Sequence, residues 1–252
     1  MKIIIAEAYK PLQKEIHNII ENFEVLGRPF NEGQRNSIRI FDVEGKQINI
    51  KSFKVPNAVN KIAYKFLRKS KAERSFNYAG ILIEKGIGTP APVAFAEESL
   101  PVTFGKSYYA SEHLESDLTY RELVTQPNYP GHEAILRAFT RFTFNMHEQN
   151  VEFLDHSPGN TLLKLNDGNY QFYLVDLNRM NFRELSFEDR MKNFSRLTPK
   201  KEMVQVMASE YAKCIQKPEA EVFEKMWFYT TEFQEKFHRK QRWKQKFKKQ
   251  NP

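Results

Sequence analysis

Residues 151–180 read VEFLDHSPGNTLLKLNDGNYQFYLVDLNRM, and the rest of the chain is read outward from them. Asp155 and Asn160 stand five residues apart, and Asp176 follows sixteen residues later. Between them lie two short apolar runs, 161–165 and 170–175, joined by Asn166-Asp167-Gly168-Asn169. Turn chemistry of that kind between two such runs predicts a β-hairpin. The hairpin would set Asn160 just before its first strand and Asp176 just after its second, bringing two oxygen ligands toward one point. Oxygen donors with room left for water and phosphate suit Mg²⁺. The competing reading is a hairpin whose Asp and Asn residues do no more than turn the chain.

The order D-H-S-P-G-N, hairpin, V-D-L-N resembles the catalytic and metal loops of protein-kinase-like phosphotransferases, and is closer to small-molecule and sugar kinases than to Ser/Thr kinases. The resemblance implies that Asp155 is the catalytic carboxylate and that Asn160 and Asp176 are the metal ligands. The sequence departs from the pattern at three places: Phe153 stands where the family has His, His156 follows the Asp, and Leu177-Asn178 replaces Phe-Gly.

Upstream, strands are expected at 23–30, 37–41 and 47–53, the small antiparallel first lobe of such a fold. The third strand ends I-N-I-K, similar to the V-A-I-K strand whose lysine holds nucleotide phosphates. Lys51 is that lysine, with Lys54 as the alternative. Gly33, in the turn 31–33, would cover the phosphates, although a single glycine also serves as an ordinary turn residue. A helical pattern runs from 56 to 85 and closes at Gly86. Its R-K-S-K-A-E-R-S run and the G-I-G-T-P that follows are similar to the lipopolysaccharide kinase family (Kdo kinase/WaaP type), and with the loops above the likeness spans roughly 33–197.

That family places on this helix a Glu that pairs with the strand lysine. Its position falls here on Ser75; Glu73 is the nearest carboxylate and Glu84 the other choice. Strand 106–111 leads into Glu112-His113-Leu114, where backbone groups of Glu112 and Leu114 would meet adenine. His113 reads as a packed or solvent histidine. An amphipathic helix is expected at 133–149, with His147 capping, solvated or bracing the catalytic loop. The basic run of Arg179, Arg183, Arg190, Lys192 and Arg196 reads either as the acceptor side or as ordinary surface cations.

Net charge is +8, and residues 236–249 hold eight Lys and Arg with no acid. Phe233, Phe237, Trp243 and Phe247 share one side of that helical tail. Aromatics beside cations suit an anionic membrane surface, with nucleic acid as the weaker reading. Cys214 is the lone cysteine, which excludes internal disulfides. No apolar run is long enough to span a bilayer, and the N-terminus has no secretory pattern, so a cytoplasmic, peripheral protein is expected.

The fold expected is α+β, a two-lobed protein-kinase-like architecture: antiparallel-sheet N-lobe at 1–113, mainly helical C-lobe at 114–235, basic tail at 236–252. The resemblance implies transfer of phosphate from ATP, with Mg²⁺, to a lipopolysaccharide inner-core sugar (Kdo or heptose) on a Kdo–lipid A type substrate. The alternatives are a protein or small-sugar acceptor, or an inactive kinase fold acting as a binding module.

Overall fold

The computed structural model describes residues 1–32, 36–54, 69–99, 104–166 and 168–250. Two compact units result: residues 1–115 with 174–179, and residues 116–173 with 180–252.

The first unit contains β1 (Lys2–Ile5), a 3-10 turn (Glu7–Leu12), α1 (Gln13–Glu21), β2 (Arg28–Glu32), β3 (Asn36–Val43), β4 (Lys46–Phe53), α2 (Lys71–Glu84), β5 (Pro92–Ser99) and β6 (Phe104–Glu112). Its six strands form one antiparallel sheet in the order β1-β5-β6-β4-β3-β2. Period-2 alternation assigns the two faces of β4. Ile48 and Ile50 are fully buried in a cluster with Ile16, Ile19, Ile20 and Phe23 of the α1 region. Phe53, on the opposite face, packs with Ala72 of α2 and Phe95 of β5. Lys51 shares this second face. Strands β3 and β4 are joined at Glu44-Gly45, both at positive φ, the geometry a tight two-residue hairpin requires.

The expected strand at 23–30 is corrected: pairing begins only at Arg28. Phe23 ends the α1 turn as a core residue, its ring 5.3 Å from Tyr108 and 6.1 Å from Phe41. Gly27 then turns the chain at φ +83, where a Cβ would lie 2.6 Å from the Phe41 ring. Strand β1 is an addition to the expected set; its K-I-I-I run completes the sheet beside β5. Of the helix expected over 56–85, residues 71–84 form α2, capped by the Ser70 hydroxyl accepting from the Glu73 N–H at 2.9 Å. Residues 55–68, and Gly33 with them, lie outside the described residues.

The second unit contains β7 (Leu118–Thr119), α3 (Tyr120–Thr125), α4 (His132–Glu148), β8 (Val151–Phe153), β9 (Thr161–Asn166), β10 (Asn169–Leu174), β11 (Met180–Phe182), α5 (Phe187–Asn193), α6 (Lys201–Ile215) and α7 (Glu219–Gln250). The expected hairpin is β9–β10, and β7 joins it to make three strands. Helix α4 buries Ile135, Leu136 and Phe139 in one core with Met203, Val204, Met207 and Tyr211 of α6. Helix α7 is continuous across residue 236, so the basic segment extends a packed helix rather than starting a new element. Among the described residues no helix is long and apolar enough to cross a membrane.

Candidate active site

In the first unit Lys51 and Asp176 meet directly. Lys51 Nζ lies 2.8 Å from Asp176 Oδ1, with the lysine side chain only 15% exposed. Asn178 Nδ2 donates to the same oxygen at 2.7 Å. Asp176 is tied to this unit by its own strand end. Leu174 N–H donates to Gly88 O at 2.8 Å, and the Thr89 hydroxyl donates to Leu174 O at 2.8 Å. Asp176 itself adopts φ +61, left-handed backbone that Asp tolerates better than most residues. Between the two candidate lysines, Lys51 is the one paired, and Lys54 is exposed.

Glu73 lies elsewhere. Its carboxylate pairs with Lys69 at 3.3 Å, one helical turn back, and Ser75 is buried. Glu112 accepts from the Tyr9 hydroxyl at 2.6 Å and from Lys46 Nζ at 3.2 Å. The Tyr9 bond, and after it Lys46, hold the Glu112 carboxyl below its ordinary pKa, while burial and Glu112 push the Tyr9 phenol up. Glu112 N–H is bonded to Ala91 O and His113 N–H to Gln47 O, so Leu114 is the first residue beyond the paired segment. His113 packs edge-on to Phe30 at 5.4 Å, and burial pulls its pKa down.

In the second unit the loop 154–160 bridges β8 and β9. Strand β8 is held by β11, with Met180 opposite Phe153. The loop closes on itself: Asn160 Nδ2 donates to Asp155 O at 2.8 Å, and Asn160 N–H donates to Ser157 O at 2.9 Å. This fixes the amide by its nitrogen and leaves the Asn160 side-chain oxygen as an acceptor. Asp155 Oδ1 lies 2.6 Å from Arg196 Nη1. The same Nη1 donates to Leu154 O at 3.0 Å, and the guanidinium sits 5.6 Å from the Phe233 ring centroid.

Beneath the loop, His156 is buried among Phe139, Phe153 and Phe194, and neither ring nitrogen has a hydrogen-bond partner among the described residues. Burial brings its pKa down to about 4, so it is neutral at pH 7. His147 is also buried, which excludes a capping or solvated role. Its Nδ1 meets the Tyr211 hydroxyl at 2.8 Å and its Nε2 meets Asn193 Oδ1 at 3.2 Å. Asn193 Nδ2 in turn donates to Phe153 O at 2.9 Å. His147 therefore braces the loop through Asn193.

Most of the basic run is already paired. Arg183 binds Glu152 at 3.0 Å and Asp189 at 2.8 Å, and Arg190 binds Glu148. A different arginine reaches the loop. A Cβ built on Gly159 would stand 2.5 Å from Arg121 Nη2, so the guanidinium rests on the loop where Gly159 has no side chain.

The sequence profile of the lipopolysaccharide kinase (Kdo/WaaP) family matches residues 24–217. The chain belongs to this family. A solved structure, WaaP in complex with acyl carrier protein, resembles it with a TM-score of 0.64 and 16% identity, over 95% of this chain and 99% of that one. At that identity the likeness speaks for the fold, which is the kinase-like α+β fold expected from the sequence. No curated protein sequence matches.

Lys51, Asp155, Asn160 and Asp176 are expected from the sequence through its resemblance to kinase-like motifs. Tyr9, Arg121 and the Arg196–Asp155 pairing have no such signal, because each reaches its partner across at least 38 residues of chain. Among the described residues no cluster of three or more His, Cys, Asp or Glu could hold a metal. Each unit by itself presents an oxygen of the hard type that suits Mg²⁺, the Asp176 carboxylate in the first and the Asn160 amide in the second.

Proposed function

We propose that this protein transfers the γ-phosphate of ATP to a hydroxyl of a lipopolysaccharide inner-core sugar, Kdo or heptose, carried on lipid A. The observation that supports it most is the Lys51–Asp176 ion pair, since it joins the two residues to which the resemblance to kinase-like motifs gives the nucleotide phosphates and their metal. Residues 1–113 would act as the nucleotide lobe, 114–235 as the catalytic lobe and 236–252 as a basic tail.

In this reading Lys51 neutralises phosphate oxygens, Gly33 covers them, and backbone groups of Glu112 and Leu114 meet adenine. Glu73 would join Lys51 only by exchanging its present partner Lys69. Asn160 and Asp176 would hold Mg²⁺, which would neutralise charge on the triphosphate. Asp155 orients the acceptor hydroxyl and receives its proton. The new bond joins the acceptor oxygen to Pγ, the bond from Pγ to the β–γ bridging oxygen breaks, and ADP leaves with that electron pair. Charge neutralisation and positioning carry most of the acceleration.

For localisation, α7 supports a peripheral reading at the anionic inner leaflet on the cytoplasmic side. Phe237 and Trp243 are 45% and 66% exposed, amid the basic run. Phe233 instead packs at Arg196, and nothing is described of the Phe247 side chain. The structural neighbour is in complex with acyl carrier protein, so a protein partner of that kind is the alternative to the membrane reading. No nucleic acid is expected.

The test uses ATP labelled at the γ-phosphate with Mg²⁺ and four acceptors: Kdo–lipid A, a heptose-bearing core, free Kdo and a generic protein. Label on either lipid-linked sugar is the expected result. Label only on free Kdo or on protein would move the acceptor class. Mg²⁺-dependent nucleotide binding with no transfer would leave a binding module.

A further inference from the structure

Of the cations that the sequence offers as anion readers, Arg179 and Lys192 are exposed and the other three are committed to carboxylates. Arg183, Arg190 and Arg196 each face a carboxylate at ion-pair distance, and so do Arg137 and Arg141 on α4. Arg121 differs. Its side chain is exposed and makes no ion pair among the described residues. The nearest acid along the chain, Glu122, feels its charge, but that carboxylate accepts from the Thr119 N–H and hydroxyl, both at 2.7 Å, and closes the α3 capping box.

The place where Arg121 rests matters as much as its having no ion pair among the described residues. Its guanidinium lies against Gly159, one residue before Asn160 and four after Asp155. Four residues of chain span at most about 14 Å, and the loop is folded back through the Asn160 to Asp155 bond, so the true separation is shorter. A Cβ at 159 would push the tip of the guanidinium aside, so the glycine leaves room for it against the loop. A planar, permanently charged fork held there suits one ligand chemistry, an oxyanion bound through two hydrogen bonds.

We propose that Arg121 is the residue that recognises an oxyanion of the acceptor, holding it while Asp155 orients the neighbouring hydroxyl. This rests on the phosphotransferase reading above. The oxyanion can be the carboxylate of an acid sugar such as Kdo or a phosphate on lipid A, and the chemistry is shared between them. Arg196, which already faces Asp155, serves differently, by positioning that carboxylate.

The test is steady-state transfer to Kdo–lipid A by wild type, Arg121→Gln and Arg121→Lys, with KM measured separately for acceptor and ATP. Loss of a charged, two-pronged contact predicts an acceptor KM raised about 10- to 10²-fold in the Gln variant. The Lys variant should recover part of it, and the KM for ATP should not move. Two modified acceptors then locate the oxyanion. If the Kdo carboxyl, converted to its methyl ester, costs wild type the same factor but leaves Arg121→Gln indifferent, the carboxylate is the ligand. The same pattern with dephosphorylated lipid A would identify a lipid phosphate. Gly159→Ala, which pushes the guanidinium off its seat while keeping the charge, should also raise the acceptor KM. An acceptor KM within twofold of wild type in Arg121→Gln would overturn the inference while leaving the kinase reading intact. A rise in the KM for ATP alone would do the same. No transfer by wild type to any acceptor would instead strike the kinase reading, and the inference with it.

Discussion

Two acids proposed for the chemistry, Asp176 in the first unit and Asp155 in the second, each sit in an ion pair of similar length, 2.8 Å and 2.6 Å. Their cations are held differently. Lys51 is a single point charge whose described ion pair is the one with Asp176, and its ammonium lies 5.3 Å from the Phe53 ring centroid. Under the proposed function the Asp176 carboxylate would hold Mg²⁺ and the Lys51 ammonium would neutralise phosphate. Arg196 has other anchors. It donates to Leu154 O and rests on Phe233, so the guanidinium keeps its place whatever Asp155 does. Under that reading the first pair would exchange with ligand and the second would stay in place. An ammonium suits the first role and a forked guanidinium the second.

The contrast can be broken most severely in the first unit. Lys51→Met and Asp176→Asn should each lower phosphate transfer by at least about 10²–10³-fold. Each should also abolish the rise in melting temperature given by Mg²⁺-ATP, which reports ligand binding to the folded state. A normal thermal shift in either variant would mean that the pair is structural only. In the second unit Arg196→Ala should lower kcat on the order of 10- to 10²-fold through misplacement of Asp155, with the KM for ATP unchanged. Added guanidinium should restore part of the rate, which a collapsed loop would not allow.

Smaller effects follow from the buried histidines. His156 and His147 are held at about 4 and about 3 by burial, against 6.5 for an exposed imidazole. The unfolded chain therefore binds protons in this window that the folded chain does not. Their contribution to stability is complete above pH 6.5 and is lost as pH falls toward about 4 for His156 and about 3 for His147. His156→Phe, among Phe139, Phe153 and Phe194, should flatten the decline in melting temperature between about pH 6.5 and 4.5. An unchanged slope would contradict the burial argument. The smallest effect on turnover should come from Phe237→Ser with Trp243→Ser. This pair should weaken sedimentation with anionic vesicles while transfer to detergent-solubilised acceptor stays within about threefold, since both side chains are exposed, even though Phe237 also stacks on Phe233 one turn back at 6.2 Å. Full sedimentation would remove the membrane role.

How much is legible in the sequence follows from the range of each contact. The loop 155–160, the hairpin and the Lys51 strand carry local signals: fixed spacings, turn residues and period-2 alternation. They can be read directly. Strand β1 escapes because K-I-I-I has no alternation of its own, and its role exists only beside β5. The expected strand over 23–30 fails for a related reason. Phe23 and Val25 look like strand residues, but Phe23 is needed under the sheet as a core anchor, so the chain must turn at Gly27 before pairing. The basic run at 179–196 is visible as charge, yet charge alone does not tell paired arginines from an available one. That depends on Glu152, Asp189 and Glu148 folding next to them, and on Gly159 opening a seat for Arg121. The role of His147 stays open in the sequence for the same cause, since its partners Tyr211 and Asn193 lie 64 and 46 residues away.

The measurement that tests the account most directly compares wild type and Asp155→Asn for two quantities in one preparation: Mg²⁺-ATP binding, and transfer of labelled γ-phosphate to Kdo–lipid A. The account predicts equal nucleotide binding and a loss of transfer of about 10²–10⁴-fold in the variant, the range for removing a general base. Labelled lipid formed at the wild-type rate by Asp155→Asn would contradict it.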